Sequence, residues 1–186
     1  VLEQALWDSK SFLQQKPEFF INVNVSAKQL ERPDFCRVVL ELLDKTEFPV
    51  RHLCLEITER CRSLPVSVIN ERMAVLRGYG IKFAMDDFGT GSSSSAMALE
   101  MLIDEIKIDM SFIRKILVNK KNKAIVQSMV DFANAANIKS CLEGVENEAL
   151  EDYLRTVGAT WFQGYYYSKP VGADELEILL SNSWKK

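Results

Sequence analysis

Short extended stretches alternate along this chain with stretches whose apolar positions recur every three or four residues. The extended runs are Phe19–Val25, Leu53–Thr58, Ile81–Asp86, Glu105–Asp109, Lys139–Glu143 and Thr160–Gln163. In the first of them Ile21, Val23 and Val25 share one face, and Asn22, Asn24 and Ser26 share the other. In the fourth, Ile106 and Ile108 oppose Lys107 and Asp109. A period of two predicts strands with one apolar and one polar face. Between them, Phe35, Val39, Leu42 and Leu43 follow a helical stripe, as do Ile69, Met73 and Leu76. Leu150, Tyr153 and Leu154 continue the pattern, as do Leu176, Leu179 and Leu180. Further helices are predicted over Val1–Gln14 and from about Lys120 to Asn137. Gly78, Gly80 and Gly158 stand where helices give way to strands.

Strand and helix in turn, with short connections, specify a parallel sheet covered by helices. Six strand–helix units in 186 residues, preceded by one helix, come to about 31 residues each. Eight such units need about 250 residues, the size of a (β/α) barrel. The fold class is therefore α/β, a TIM-like barrel with about six of its eight units. A doubly wound open sheet is the alternative. The polar faces of the strands favour the barrel, whose carboxyl-end mouth collects one or two polar groups from each strand. An open barrel also leaves sheet edges, so the chain is expected to self-associate across the gap or to cover the edge with its first helix.

At 47% hydrophobic residues the chain can bury a core as one domain over 1–186. A net charge of −3 argues against DNA as partner. No apolar run reaches the roughly 20 residues of a membrane span. The four cysteines form no CxxC pair and His52 is the only histidine, which disfavours a zinc site or a histidine-based triad. Reduced, buried thiols in a cytoplasmic protein are expected.

The strand ends carry the chemistry: Asn24; Glu56 and Glu59; Asp86 and Asp87; Lys107 and Asp109; Glu143 and Glu146; Gln163. Adjacent aspartates alone often mark a solvated turn, and EGVE or EITE alone fits a helix start favoured by the dipole. Recurrence at nearly every strand is what points to a site. Carboxylates converging on one mouth repel and raise one another's pKa unless a cation offsets them. Oxygen donors without His or Cys suit magnesium, manganese or calcium. Ser92–Ser95 offer helix-capping hydroxyls, and the aromatic run Tyr165–Tyr167 reads as packing.

The segments NVSAKQL (24–30), LEITER (55–60), DDFGTG (86–91), IKIDMSF (106–112), EGVE (143–146) and QGYYYSKP (163–170) resemble, in order, the motifs of the EAL-domain family of cyclic di-GMP phosphodiesterases. The resemblance implies an eight-stranded (β/α) barrel and metal-dependent hydrolysis of cyclic di-GMP to the linear dinucleotide in bacterial signalling. It implies Asn24, Glu56, Asp86 and Asp87 as ligands of two Mg2+ or Mn2+ ions. Lys107 would position the attacking water or a phosphate oxygen, and Glu143 would serve a metal's water or act as base. Glu59 would steady the loop after the aspartates, with Gln163, Asp109 and Glu146 supporting the loop or the substrate. It further implies a homodimer and an upstream sensor or cyclase domain. The family's Glu-Ala-Leu motif is not within these residues; LEQAL (2–6) lies in a helical pattern. Two readings follow, a phosphodiesterase of impaired turnover or an inactive receptor or interaction module of the same fold.

Overall fold

The computed structural model describes residues 1–58, 65–91 and 94–181. Its sheet has six strands in the order β1-β2-β3-β4-β5-β6, and each neighbouring pair is parallel. The strands are β1 (Ile21–Val25), β2 (Leu53–Thr58), β3 (Lys82–Phe88), β4 (Glu105–Ile108), β5 (Lys139–Glu143) and β6 (Trp161–Gln163). In a doubly wound sheet the order reverses at a switch point, and here it never reverses. The sheet is the wall of an incomplete barrel.

The helices are α1 (Leu2–Gln15), α2 (Ala27–Glu31), α3 (Phe35–Thr46), α4 (Val66–Gly78) and α5 (Ser94–Glu100). They continue with α6 (Met110–Ile113), α7 (Lys120–Ala135), α8 (Glu148–Arg155) and α9 (Ala173–Ser181). Their apolar stripes meet the outward residues of the strands, so Leu55, Ile57, Phe83, Met85, Ile106, Ile108 and Leu142 are almost wholly buried. Strands β2 and β4 are buried on both faces, as parallel strands in a covered wall are. Only β1 keeps the alternation read from its sequence, with Ile21, Val23 and Val25 buried and Asn22 and Asn24 exposed.

Strands β2 and β5 have the boundaries expected from their patterns. Strand β1 starts two residues later than predicted. Phe19 instead accepts at its carbonyl from the ring of His52 (2.6 Å), and the Phe20 ring packs at 5.4 Å against Trp161. Strand β3 runs on to Phe88, because a bulge carries it past Asp86. Strand β4 stops at Ile108, since Asp109 caps α6 by accepting from the Ser111 amide at 2.9 Å. Helix α1 starts at Leu2 and runs one residue past the predicted Gln14. Thr160 lies outside β6, and α7 ends at Ala135 because Asn137 takes a positive φ of 56°. Gly78 is the last residue of α4, so the left-handed turn falls to Gly80, at φ 100°. The capping expectation for Ser92 and Ser93 falls outside the described residues.

Helix α1 packs on β1, on α3 and on α9, and so spans the gap between the first and last units. Its Leu6 and Phe12 are buried, while Lys45–Glu3 (2.5 Å), Lys10–Glu47 (2.7 Å) and Gln15–Glu177 (3.2 Å) ring its exposed side. Surface pairs of this kind contribute little, so the apolar stripe carries the docking. Leu6→Ala should therefore cost about 2–5 kcal/mol in urea unfolding. A loss under about 1 kcal/mol would mean that α1 is not part of the folding unit.

Candidate functional site

Inward positions follow from the register. Asn24 pairs with Glu56, Glu56 with Ala84, Lys107 with Cys141, and Glu143 with Gln163. Across the sheet the rows step forward: Glu56 is level with Ala84 and Glu105, Lys107 stands two residues further on with Cys141, and Glu143 two further again with Gln163. Asp86 and Asp87 are neighbours, and strict alternation would send them to opposite faces. A bulge interrupts that alternation here. Met85 pairs with Ile106 and Phe88 with Ile108, so the two aspartates lie against the single residue Lys107. The extra residue is absorbed at Asp87, which takes φ 56° in the left-handed region that Asp tolerates. A turn follows in which the Thr90 amide and hydroxyl both donate to the Asp87 carbonyl, at 3.2 and 2.9 Å. Gly89 then passes so close to Met129 that a Cβ would overlap its Cε.

Lys107 is the hub. Its ammonium lies 2.8 Å from Glu143 Oε1, 2.9 Å from Glu56 Oε1 and 3.7 Å from Asp86 Oδ1. Lys107 and Glu56 are each about 95% buried. Burial alone would pull the lysine's pKa down. Its bonds to Glu143 and Glu56 outweigh that and raise it, so the group is charged. Burial pushes the Glu143 carboxyl up, Lys107 opposes it, and Asp86 and Glu56 add to the rise.

Three residues of the candidate site escaped the sequence reading. Asn22 Nδ2 donates to Glu56 Oε1 at 2.8 Å. Glu105, one inward step below Lys107, is 4% exposed, and burial lifts its pKa to about 7, with Lys107 opposing and Glu56 adding. Both carried a signal, since Asn22 shares the face of Asn24 and Glu105 that of Lys107. Arg114, the residue that follows α6 and lines the cleft beside Glu143, carried none.

The other expected residues sit apart from the hub. Asp109 is occupied as the cap of α6. Glu146 and Gln163 are exposed and line a cleft of 340 Å³ together with Glu143, Arg114 and Tyr165. A recess of 520 Å³ along Phe162–Pro170 is larger but holds none of the acids. Gly164 lets β6 close on the EGVE turn, because a Cβ there would overlap the Val145 backbone. The Val145 amide donates to the Gln163 carbonyl across this contact, at 3.0 Å. Within the aromatic run, Tyr167 packs and donates to Glu151 (3.1 Å), as expected, whereas Tyr165 is 63% exposed at the cleft. Glu59 lies outside the described residues. Cys54 and Cys141 are buried thiols near Glu105, and burial raises the pKa of each. His52 is at the amino end of β2, away from the acids.

The donor set fits a hard divalent cation by its chemistry. It consists of oxygens, and its carboxylates outnumber the one ammonium among them. Among the described residues no three His, Cys, Asp or Glu side chains are gathered as a metal-holding group, and Lys107 stands among Glu56, Asp86 and Glu143. A cation here would share Glu56 and Asp86 with that lysine.

The model of the EAL-domain family matches residues 1–170. The chain is 32% identical over 91% of its length to the cyclic di-GMP phosphodiesterase PdeA of Borreliella burgdorferi, covering 25% of that protein. It is 33% identical over 97% of its length to the probable cyclic di-GMP phosphodiesterase PdeG of Escherichia coli, covering 36% of it. The structure of the EAL enzyme Bd1971 with cAMP and cyclic di-GMP bound superposes with a TM-score of 0.92 at 32% identity, over 97% of this chain and 50% of that one. The chain thus spans about a quarter to a third of the length of these curated relatives.

Glu105 makes stability depend on pH. Its folded pKa is raised from 4.5 to about 7, so its neutral form is favoured on folding. That contribution is full below about pH 4.5 and is lost as pH rises through about 7. Glu105→Gln should therefore gain on the wild type by up to about 3 kcal/mol between pH 5 and 8 in metal-free urea unfolding. A difference between the two proteins that does not change with pH would contradict the buried, neutral carboxyl.

Proposed function

This chain belongs to the EAL-domain family, and we propose that it carries most of the site for metal-dependent hydrolysis of cyclic di-GMP to the linear dinucleotide. The observation that carries this reading is the Lys107 hub, where one buried cation gathers acids from β2, β3 and β5 at the strands' carboxyl ends. Asn24, Glu56, Asp86 and Asp87 would hold the cation or cations, Mg2+ or Mn2+, with the two aspartates at the bulge beside Lys107. Bound there, such ions acidify water and screen the charge of the phosphate.

The chain's own groups supply the rest. Lys107, fixed on two carboxylates, presents an ammonium to the reacting phosphate oxygen or to the attacking water. Glu143, whose pKa is raised, takes the proton of that water as its oxygen bonds to phosphorus. The P–O bond to the leaving ribose oxygen breaks, and that oxygen takes a proton from solvent water, while Glu143 returns its own to solvent. Arg114 and the exposed Tyr165 ring line the adjoining cleft, where an anionic nucleotide meets a cation and an aromatic face. Gln163, Glu146 and Asp109 support the substrate or the loops, and Glu59 steadies the loop after the aspartates. A homodimer, an upstream sensor or cyclase domain and a cytoplasmic place belong to the same proposal.

One observation favours a second reading, a receptor that binds cyclic di-GMP without cleaving it. Lys107 already compensates Glu56 and Glu143, so these acids keep their places without a metal. Chromatography of cyclic di-GMP incubated with the chain and Mn2+ or Mg2+ separates the readings. Hydrolysis is expected to give the linear dinucleotide in a metal-dependent way, with turnover abolished in Asp86→Ala. Saturable binding without product supports the receptor, and neither binding nor product overturns both.

A further inference from the structure

Glu56 is the most enclosed of the acids at the mouth, and two donors from different strands meet on the same one of its oxygens. Lys107 Nζ reaches Oε1 from β4 at 2.9 Å, and Asn22 Nδ2 reaches it from β1 at 2.8 Å. Both described bonds use Oε1, so Oε2 carries no described partner. A carboxylate held by one donor pivots about it, whereas two donors at different bearings fix its plane.

Asn22 is suited to this by what it is not. A lysine in its place would add a second cation and compete with a metal for the carboxylate. An aspartate would add one more negative charge beside Glu56 and Glu105. A neutral amide donates without changing the charge balance. The backbone places it without strain, since Asn22 pairs with Cys54, two residues before Glu56, on the face that also carries Asn24. The same amide favours the charged form of Glu105 beneath, which ties it to the layer under the site.

We propose that Asn22 is a positioning residue, which fixes the Glu56 carboxylate so that its second oxygen is held ready for a divalent cation. The inference rests on Glu56 being a metal ligand, as argued under the proposed function. Groups that hydrogen-bond to a ligating carboxylate change metal affinity by about 10–100-fold when removed. Asn22 is exposed at the edge strand, so replacing it leaves the apolar core untouched.

The test is Mn2+ binding by the whole chain, followed by the electron paramagnetic resonance signal of free Mn2+. Asn22→Leu keeps the size and loses the donor, Asn22→Gln keeps the amide, and Glu56→Gln is the control. The expected result is a dissociation constant about 10–100-fold weaker in Asn22→Leu and largely restored in Asn22→Gln. Asn22→Leu should also move the carboxyl 13C resonance of Glu56 in the metal-free chain. Unchanged affinity in Asn22→Leu, or equal weakening in both variants, overturns the inference and leaves the metal reading standing. A wild type that binds no Mn2+ overturns the metal reading and this inference together.

Discussion

A buried ammonium among carboxylates is the constraint on which the rest of this structure depends. Unit charges about 4 Å apart interact by about 4 kcal/mol at the effective dielectric typical of protein sites. Glu56, Asp86 and Glu143 would repel one another on that scale if they converged alone. Lys107 lies within 3.7 Å of all three and turns mutual repulsion into shared attraction. The arrangement works only while the lysine is charged, and its bonds to Glu143 and Glu56 ensure that against the pull of burial. Breaking a buried cluster of this kind costs far more than an exposed pair contributes.

The fold is the device that delivers these groups. Sequential parallel strands bring their carboxyl ends to one rim, and the register steps the polar side chains forward from Glu56 on β2 to Lys107 on β4 and Glu143 on β5. Among the described strand pairs the register shifts at one place, in β3 at Asp86 and Asp87 beside Lys107. Gly164 acts at the other side of the rim, letting two backbones touch so that Gln163 reaches the EGVE turn. Helix α1 lies across the gap between the first and last units, one of the two outcomes expected for an open barrel.

Much of this was legible in the residues because it rests on periodicity. Strands β2 and β5 have the expected ends, since Leu53–Thr58 and Lys139–Glu143 are bounded by clear changes of pattern. The acids at the strand ends were visible for the same reason. What escaped depends on contacts between strands. No local pattern shows that Asp87 would take a left-handed conformation and re-aim its neighbour. Asp109 looked like the end of a strand because its spacing from Lys107 fits, yet the Ser111 amide claims it as a cap. Asn22 and Glu105 were on the correct faces but passed as ordinary polar positions, because the partner of Asn22 lies 34 residues away and Glu105 owes its state to burial in the folded sheet. The choice between barrel and doubly wound sheet also waited for the strand order, which composition cannot supply.

The central claim is that Lys107 holds the site together, and the most direct measurement is urea unfolding of Lys107→Met beside the wild type without metal. Methionine nearly preserves the volume and removes only the charge and its hydrogen bonds. The account predicts a loss of about 3–5 kcal/mol, the cost of leaving buried acids without their counter-ion. A loss below about 1 kcal/mol, the scale of an exposed ion pair, would contradict it.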